Sequence, residues 1–207
     1  MRAAYYTKLG AARDVLRLGE VDTPSPGPGE IRVRVHASGV NPSDWKARLR
    51  GRGAGLPFPL IIPHSDGAGI VDAVGDGVEA HRIGQRVWVM NAQWQRPFGT
   101  AAEYVVLPQK YVVPLPDGVD FAEAACFGIP FLTAQRAITF DGAVTSQTLL
   151  IVGSAGAVGH YAIQIAKAKG ARVQTTIATR FQLDDIVAAH EMVEAAQHIG
   201  NVVVDIA

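Results

Sequence analysis

Ile31-Arg32-Val33-Arg34-Val35-His36-Ala37 alternates apolar and polar side chains, the period-two pattern of a strand with one buried face. Gly69 to Gly75, Gln85 to Val89 and Ala102 to Val106 predict further strands. Gly/Pro clusters at Pro24 to Gly29 and Gly51 to Gly55 punctuate them. Many short strands joined by such turns predict a barrel-like β domain over the first ~115 residues.

The pattern changes after Asp117-Gly118-Val119. Phe121 to Phe127 and Leu132 to Phe140 read as helical. Gln147 to Val152 is an apolar run of the kind that forms a buried parallel strand. A glycine turn follows, then a helix from about Val158 to Lys169, with Val158, Ala162, Ile165 and Ala166 on one face and Gly170 just past its end. Arg172 to Ile177 reads as the next strand, completing one βαβ unit. Beyond it, Asp184 is placed to cap a helix with an Ile186, Ala189, Val193 stripe, and Val202 to Ile206 reads as a final strand.

The 207 residues carry 19 basic and 19 acidic side chains, a balance that argues against nucleic-acid and anionic-membrane partners. The one cysteine, Cys126, leaves no intrachain disulfide and sits in Ala124-Ala125-Cys126-Phe127, where a small buried residue is expected. Met1 to Tyr6 does not open a signal peptide, and no apolar run of ~18 residues predicts a membrane span. A cytoplasmic protein with no membrane partner is the expectation.

The turn Gly153-Ser154-Ala155-Gly156-Ala157-Val158-Gly159 lies between a predicted strand and a predicted helix. A dinucleotide pyrophosphate needs close backbone approach and gains from the free amides of a helix start. The run departs from GxGxxG, with Ser154 in the first glycine slot, so it is either a phosphate cradle or a tightly packed strand–helix connection. About 20 residues on, where a carboxylate often holds the ribose of NAD, Thr175 to Arg180 has hydroxyls and one Arg but no acid. That leans toward NADP(H). Arg180 is then either a phosphate partner or an ordinary surface charge.

Several motifs together resemble one family. Ser38-Gly39-Val40-Asn41-Pro42-Ser43-Asp44-Trp45-Lys46 is similar to the segment after the first long strand in zeta-crystallin-like quinone oxidoreductases of the medium-chain dehydrogenase/reductase superfamily. Pro63 to Val71 with Val74-Gly75-Asp76-Gly77-Val78 resembles the superfamily's glycine-rich loop. Gly99 to Tyr104, Thr133-Ala134 and the phosphate turn also fit. The resemblance implies an α/β plus β fold. A GroES-like β-barrel catalytic domain would span 1–120 and 180–207, and a truncated Rossmann dinucleotide-binding segment 121–179. It also implies hydride transfer from NADPH to a small quinone or α,β-unsaturated carbonyl. Asn41 and Asp44 would line the nicotinamide end, with Asn41 donating a hydrogen bond to the developing oxyanion and also capping a short helix. Lys46 stands where many relatives have a tyrosine. Thr133, Gly153 to Gly159 and Arg180 would hold the cofactor.

Alignment with the zinc alcohol dehydrogenases of the superfamily puts their ligand positions at Asn41, at the Ser65-Asp66 pair and near Ile129. This is a poor donor set for zinc, so the resemblance is to the zinc-independent branch. His64 is expected to be a hydrogen-bonded loop residue. At ~30 residues for a βαβ unit, roughly 100 residues or more of a full Rossmann domain are absent near Ala178-Thr179-Arg180. Two functions follow: an NADPH-dependent reductase, or a cofactor-deficient remnant that transfers no hydride. The shortened parallel sheet also predicts a homodimer through Leu149 to Val152 and Val173 to Ile177.

Overall fold

A computed structural model describes the chain except residues 52, 54, 141, 146–148, 150, 152, 154, 169–176, 197, 199, 200 and 207. Nine strands are described: β1 Arg2–Tyr5, β2 Arg17–Glu20, β3 Glu30–Val40, β4 Asp66–Val74, β5 Arg86–Val89, β6 Tyr104–Pro108, β7 Val112–Pro114, β8 Ile177–Gln182 and β9 Asn201–Asp205. The helices are α1 Ala12–Val15, α2 Pro42–Arg50, α3 Phe121–Ala124, α4 Leu132–Thr139, α5 Ala157–Lys167 and α6 Ile186–Ala195. A π-helical turn, Phe127–Phe131, joins α3 to α4. Among the described residues no helix is long and apolar enough to cross a membrane.

β3 organises the large sheet. It pairs antiparallel with β4 along one edge, and with β6 and then β9 along the other. The main path runs β7-β5-β4-β3-β9-β8, so among the described residues the sheet is open and does not close as the expected barrel. The physical reason is that β3 divides one edge between two partners, and β9 carries the sheet on to β8 instead of back to β7. Ile31, Val33 and Val35 pack with Val71, Val87, Val89, Val105 and Leu107 on the inner face, as the alternation requires. The pairing of β3 with β4 shifts register between Val35 and Ala37. There Gly69 lets the strands close in, since a Cβ on it would stand 2.0 Å from the Arg34 carbonyl oxygen.

The C-terminal segment belongs to this sheet. β8 and β9 are parallel and joined through α6, a βαβ crossover within the β domain. Ile177, expected as the end of a Rossmann strand and as part of a dimer edge, pairs instead with Asn201 of the same chain. The rest of the expected strand Arg172 to Ile177, Gly170, and most of Gln147 to Val152 lie outside the described residues. The α6 stripe of Ile186, Ala189 and Val193 is buried, as expected, against Ala3, Tyr6, Ile61 and Ile62. Asp184 does not cap this helix: it sits in a 3₁₀ turn, Leu183–Asp185, and pairs with Arg2.

A polar chain crosses this core. Ser38 Oγ lies 2.7 Å from Thr100 Oγ1 and 2.8 Å from His64 Nδ1, and His64 Nε2 lies 2.9 Å from His190 Nε2. Arg48 donates to His190 Nδ1 at 3.4 Å, to the Gly10 carbonyl and to Glu194. His64, His190 and Arg48 are fully buried, so each of these bonds replaces one lost to water. Burial pushes the His64 pKa down from 6.5 to about 3, and His190 well below its ordinary value.

Both imidazoles are therefore neutral in the fold. Their contribution to stability is complete above about pH 6.5 and is lost as pH falls below it, for His64 down to about 3. Asp66, whose pKa burial raises to about 7, works the other way: its contribution is complete below its ordinary 3.8 and is lost as pH rises to about 7. Urea unfolding of the wild type and His190→Gln between about pH 4 and 7 separates the two effects. The wild type should lose stability more steeply toward acid, by about one proton's worth of slope; equal slopes would contradict the buried pair. Gly69→Ala should cost about 2 kcal/mol or more, read as a lower urea midpoint. An unchanged midpoint would show that the strands do not need this close approach.

Candidate active-site cleft

At the end of β3 the chain turns into α2 through Asn41. The Asp44 carboxylate accepts the Asn41 backbone N–H at 2.7 Å, and Pro42 occupies the first helical position. Asp44 is buried on α2 and serves this turn. Asn41 is nearly buried, and its side-chain amide donates to Asp66 Oδ2 at 2.8 Å. The Ile129 backbone N–H donates to the same oxygen at 2.7 Å. Asp66 is fully buried, which pushes its pKa up to about 7 against the lowering effect of these two bonds. The three positions that sequence alignment compared with zinc ligands thus meet around one carboxyl. Asn41 supplies an amide and Ile129 a backbone N–H, and Ser65 is buried. Among the described residues no group of three or more His, Cys, Asp or Glu side chains could hold a metal ion.

A cleft of about 630 Å³ opens beside this junction. Asn41 and Pro42 line one side, Ile129 and Pro130 come from the π-helical turn, and Ile138 comes from α4. Gly153 and the start of α5, Gly156 to Gly159, complete it. A second cleft of about 260 Å³ shares Asn41, Pro42, Gly156 and Ala157 and adds Ala155 and His198. The α5 start is therefore approached from both sides. Gly156 is the residue before the helix, and its N–H donates to the Gly153 carbonyl at 3.0 Å. Gly153 has φ +77°, a conformation that favours glycine. Among the described residues, a Cβ on Gly153 would meet nothing within 4 Å, and one on Gly156 would meet only the Gly153 oxygen at 3.5 Å. The space above the turn is open, as an approaching phosphate group requires. Gly159 is buried within α5 beside Ala162 and Tyr161. Tyr161 donates to the Cys126 carbonyl at 3.1 Å, which ties α5 to the β domain.

The structure brings Asn41, Gly153, Ala155, Gly156, Ala157, Val158 and Gly159 together around these clefts. Ser154 lies outside the described residues. Four other expected residues stand apart from the cleft linings, the first being Asp44, which is held in the turn into α2 rather than at the cleft. Lys46 is exposed on α2 with its Nζ 5.6 Å from the Trp45 ring. Thr133 is on the exposed side of α4. Arg180, on β8, lies between Asp120 at 3.8 Å and Asp205 at 3.9 Å. Cys126 is buried, and burial raises its thiol pKa, so it is no nucleophile. Sequence reasoning missed the role of Asp66, which it weighed only within a poor zinc donor set, and the pairing of His190 with His64. The signal for His190 was present: it follows Ile186 by four residues, on the buried α6 face.

Residues 27–117 match the alcohol dehydrogenase GroES-like domain. The human quinone oxidoreductase is 35% identical over 181 residues, 86% of this chain and 53% of that protein. The 2-methylene-furan-3-one reductase of Solanum lycopersicum is 32% identical over 173 residues, 81% of this chain and 44% of that protein. The chain thus spans about half the length of the curated relatives it matches. Among solved structures, an NAD-dependent alcohol dehydrogenase superposes with TM-score 0.86 at 20% identity, covering 100% of both chains. The quinone oxidoreductase of Thermus thermophilus, described also in complex with NADPH, superposes with TM-score 0.78 at 19% identity, again over 100% of both. The chain therefore carries an alcohol dehydrogenase GroES-like domain at residues 27–117 and is similar, over about half of their length, to curated quinone oxidoreductases.

Proposed function

We propose that the protein is an NADPH-dependent, zinc-independent reductase of small quinones or α,β-unsaturated carbonyls. The observation that carries this reading is the shared cleft: Asn41 and the glycine turn at the start of α5 line the same space. The open space over Gly153 and Gly156 fits a pyrophosphate, and the free amides and positive end of α5 would hold it. When bound, the dinucleotide supplies hydride to the acceptor. The mostly apolar wall from Ile129, Pro130 and Ile138 suits a flat, weakly polar acceptor and excludes water. One N–H of the Asn41 amide is engaged by Asp66, and the amide carries a second that is suited to the acceptor's carbonyl oxygen as negative charge develops there.

Zinc independence is supported by the donor set, since the single carboxyl of Asp66 beside an amide, a serine and a backbone N–H does not make a tetrahedral zinc site. NADPH is favoured over NADH because residues 175–180 carry no acid to bind a free ribose hydroxyl or repel a phosphate. Arg180 is already engaged with two carboxylates, so the selectivity in this reading rests on the missing acid. A homodimer remains part of the reading. It rests on the apolar runs Leu149 to Val152 and Val173 to Ile177 of the sequence, most of which lie outside the described residues.

Mixing the protein with NADPH and a simple quinone, and following nicotinamide absorbance, tests the reading. Quinone-dependent oxidation, unaffected by chelators, is expected; no oxidation would identify a remnant that transfers no hydride. Gly156→Asp should weaken NADPH binding by about tenfold or more in calorimetry, equivalent to ~1.4 kcal/mol. Its unfolding midpoint should stay close to that of the wild type, because the new Cβ meets only an ordinary contact. Unaltered binding, or tighter binding of NADH than of NADPH by the wild type, would count against the cofactor assignment.

A further inference from the structure

Asp66 is a fully buried carboxyl with an asymmetric environment. Its Oδ2 accepts N–H groups from two elements, the Asn41 amide at 2.8 Å and the Ile129 backbone at 2.7 Å. Its Oδ1 has no hydrogen-bond partner among the described residues. Oδ1 faces Gly128, where a Cβ would stand only 2.0 Å from it. Gly128 has φ −62° and ψ −106°, outside helical values, so the π-helical turn bends over the carboxyl at this residue. Asn41 and Ile129 both line the main cleft, and Asp66 is the group that ties them together.

Leaving such a carboxyl buried is costly unless its bonds matter elsewhere. The bonds also set an orientation. With Nδ2 held by Asp66, the Asn41 amide cannot exchange its nitrogen and oxygen ends without losing a buried bond. We propose that Asp66 is a positioning residue for the reductase read above: one carboxyl oxygen holds the Asn41 amide and the Ile129 turn in register, so that the free Asn41 N–H meets the acceptor in one orientation. The inference rests on that reading for the acceptor, and on geometry alone for the coupling of Asn41 to Ile129.

The proton of the neutral acid belongs on Oδ1, since Oδ2 already accepts two N–H groups. Ionisation then strengthens both bonds at Oδ2 without adding a partner. Burial places this event at about pH 7. Two of the neighbouring titratable groups are held away from this range, and His198 shares the second cleft with Asn41. Cys126, which feels the Asp66 charge, has a raised thiol pKa, and His64, two residues back, is held neutral by burial. The Asp44 carboxylate is engaged with the Asn41 backbone.

The test uses the full chain labelled with ¹⁵N, titrated from about pH 5.5 to 8.5, together with Asp66→Asn. The Asn41 side-chain amide and the Ile129 backbone amide should shift together in the wild type with a midpoint near 7, and stay flat in D66N. In NADPH-dependent quinone reduction, kcat of the wild type should inflect at the same pH. D66N should abolish the inflection and lower kcat about tenfold with little change in KM. Independent or absent titration of the two amides overturns the proposal, as does an inflection that persists in D66N. If the wild type reduces no quinone while the two amides still titrate together, the positioning role stands and the reductase reading falls. If D66N does not fold, the wild-type amide titration decides alone.

Discussion

The two hydrogen-bonding edges of β3 are the constraint on which the rest of this structure depends. One edge is filled by β4, and the other is divided between β6 and β9. The first half of the strand buries Ile31, Val33 and Val35 in the β-domain core, and the second half carries Ser38 into the buried polar chain. At its end the strand delivers Asn41 to the cleft. Because β9 comes from the far end of the sequence, β3 also anchors the C-terminal segment, and α6 then packs across the N-terminal strand region. A loss of register along β3 would displace core, polar chain and cleft together.

The polar chain gives that anchoring its specificity. Apolar packing of α6 alone would tolerate sliding, whereas the contact of His64 with His190 and of Arg48 with Glu194 has one geometry. Buried polar groups of this kind gain little net stability and lose much when a partner is removed. Their value here is that residues more than a hundred positions apart in sequence are brought to one place.

Much of this was legible in the sequence because local patterns carry it. Alternation marked β3, β4, β5 and β6 within a few residues, and the Asn41-Pro42 pair marked the start of α2. The α6 stripe was visible from its spacing, although the helix starts at Ile186 without Asp184 as its cap. β1 and β2 were not legible, since Arg2–Tyr5 and Arg17–Glu20 show no alternation and are set by long-range pairing. The open sheet was not legible either, because the parallel placement of β8 beside β9 depends on partners rather than on either strand's own residues. At the site, the glycine turn and Asn41 could be named from motifs. Asp66 could not, because its importance comes from Asn41 and Ile129, which lie 25 and 63 residues away.

The account stands on the claim that the glycine turn and Asn41 form one dinucleotide site although the chain spans about half of its curated relatives. Mapping backbone and side-chain amide shifts on addition of NADPH tests this directly. The account predicts that Gly156 to Gly159 and the Asn41 amide move together along one saturating curve, while inner-face residues such as Val33 and Val105 do not. Shifts confined to one of the two groups, or no saturable shift in either, would contradict it.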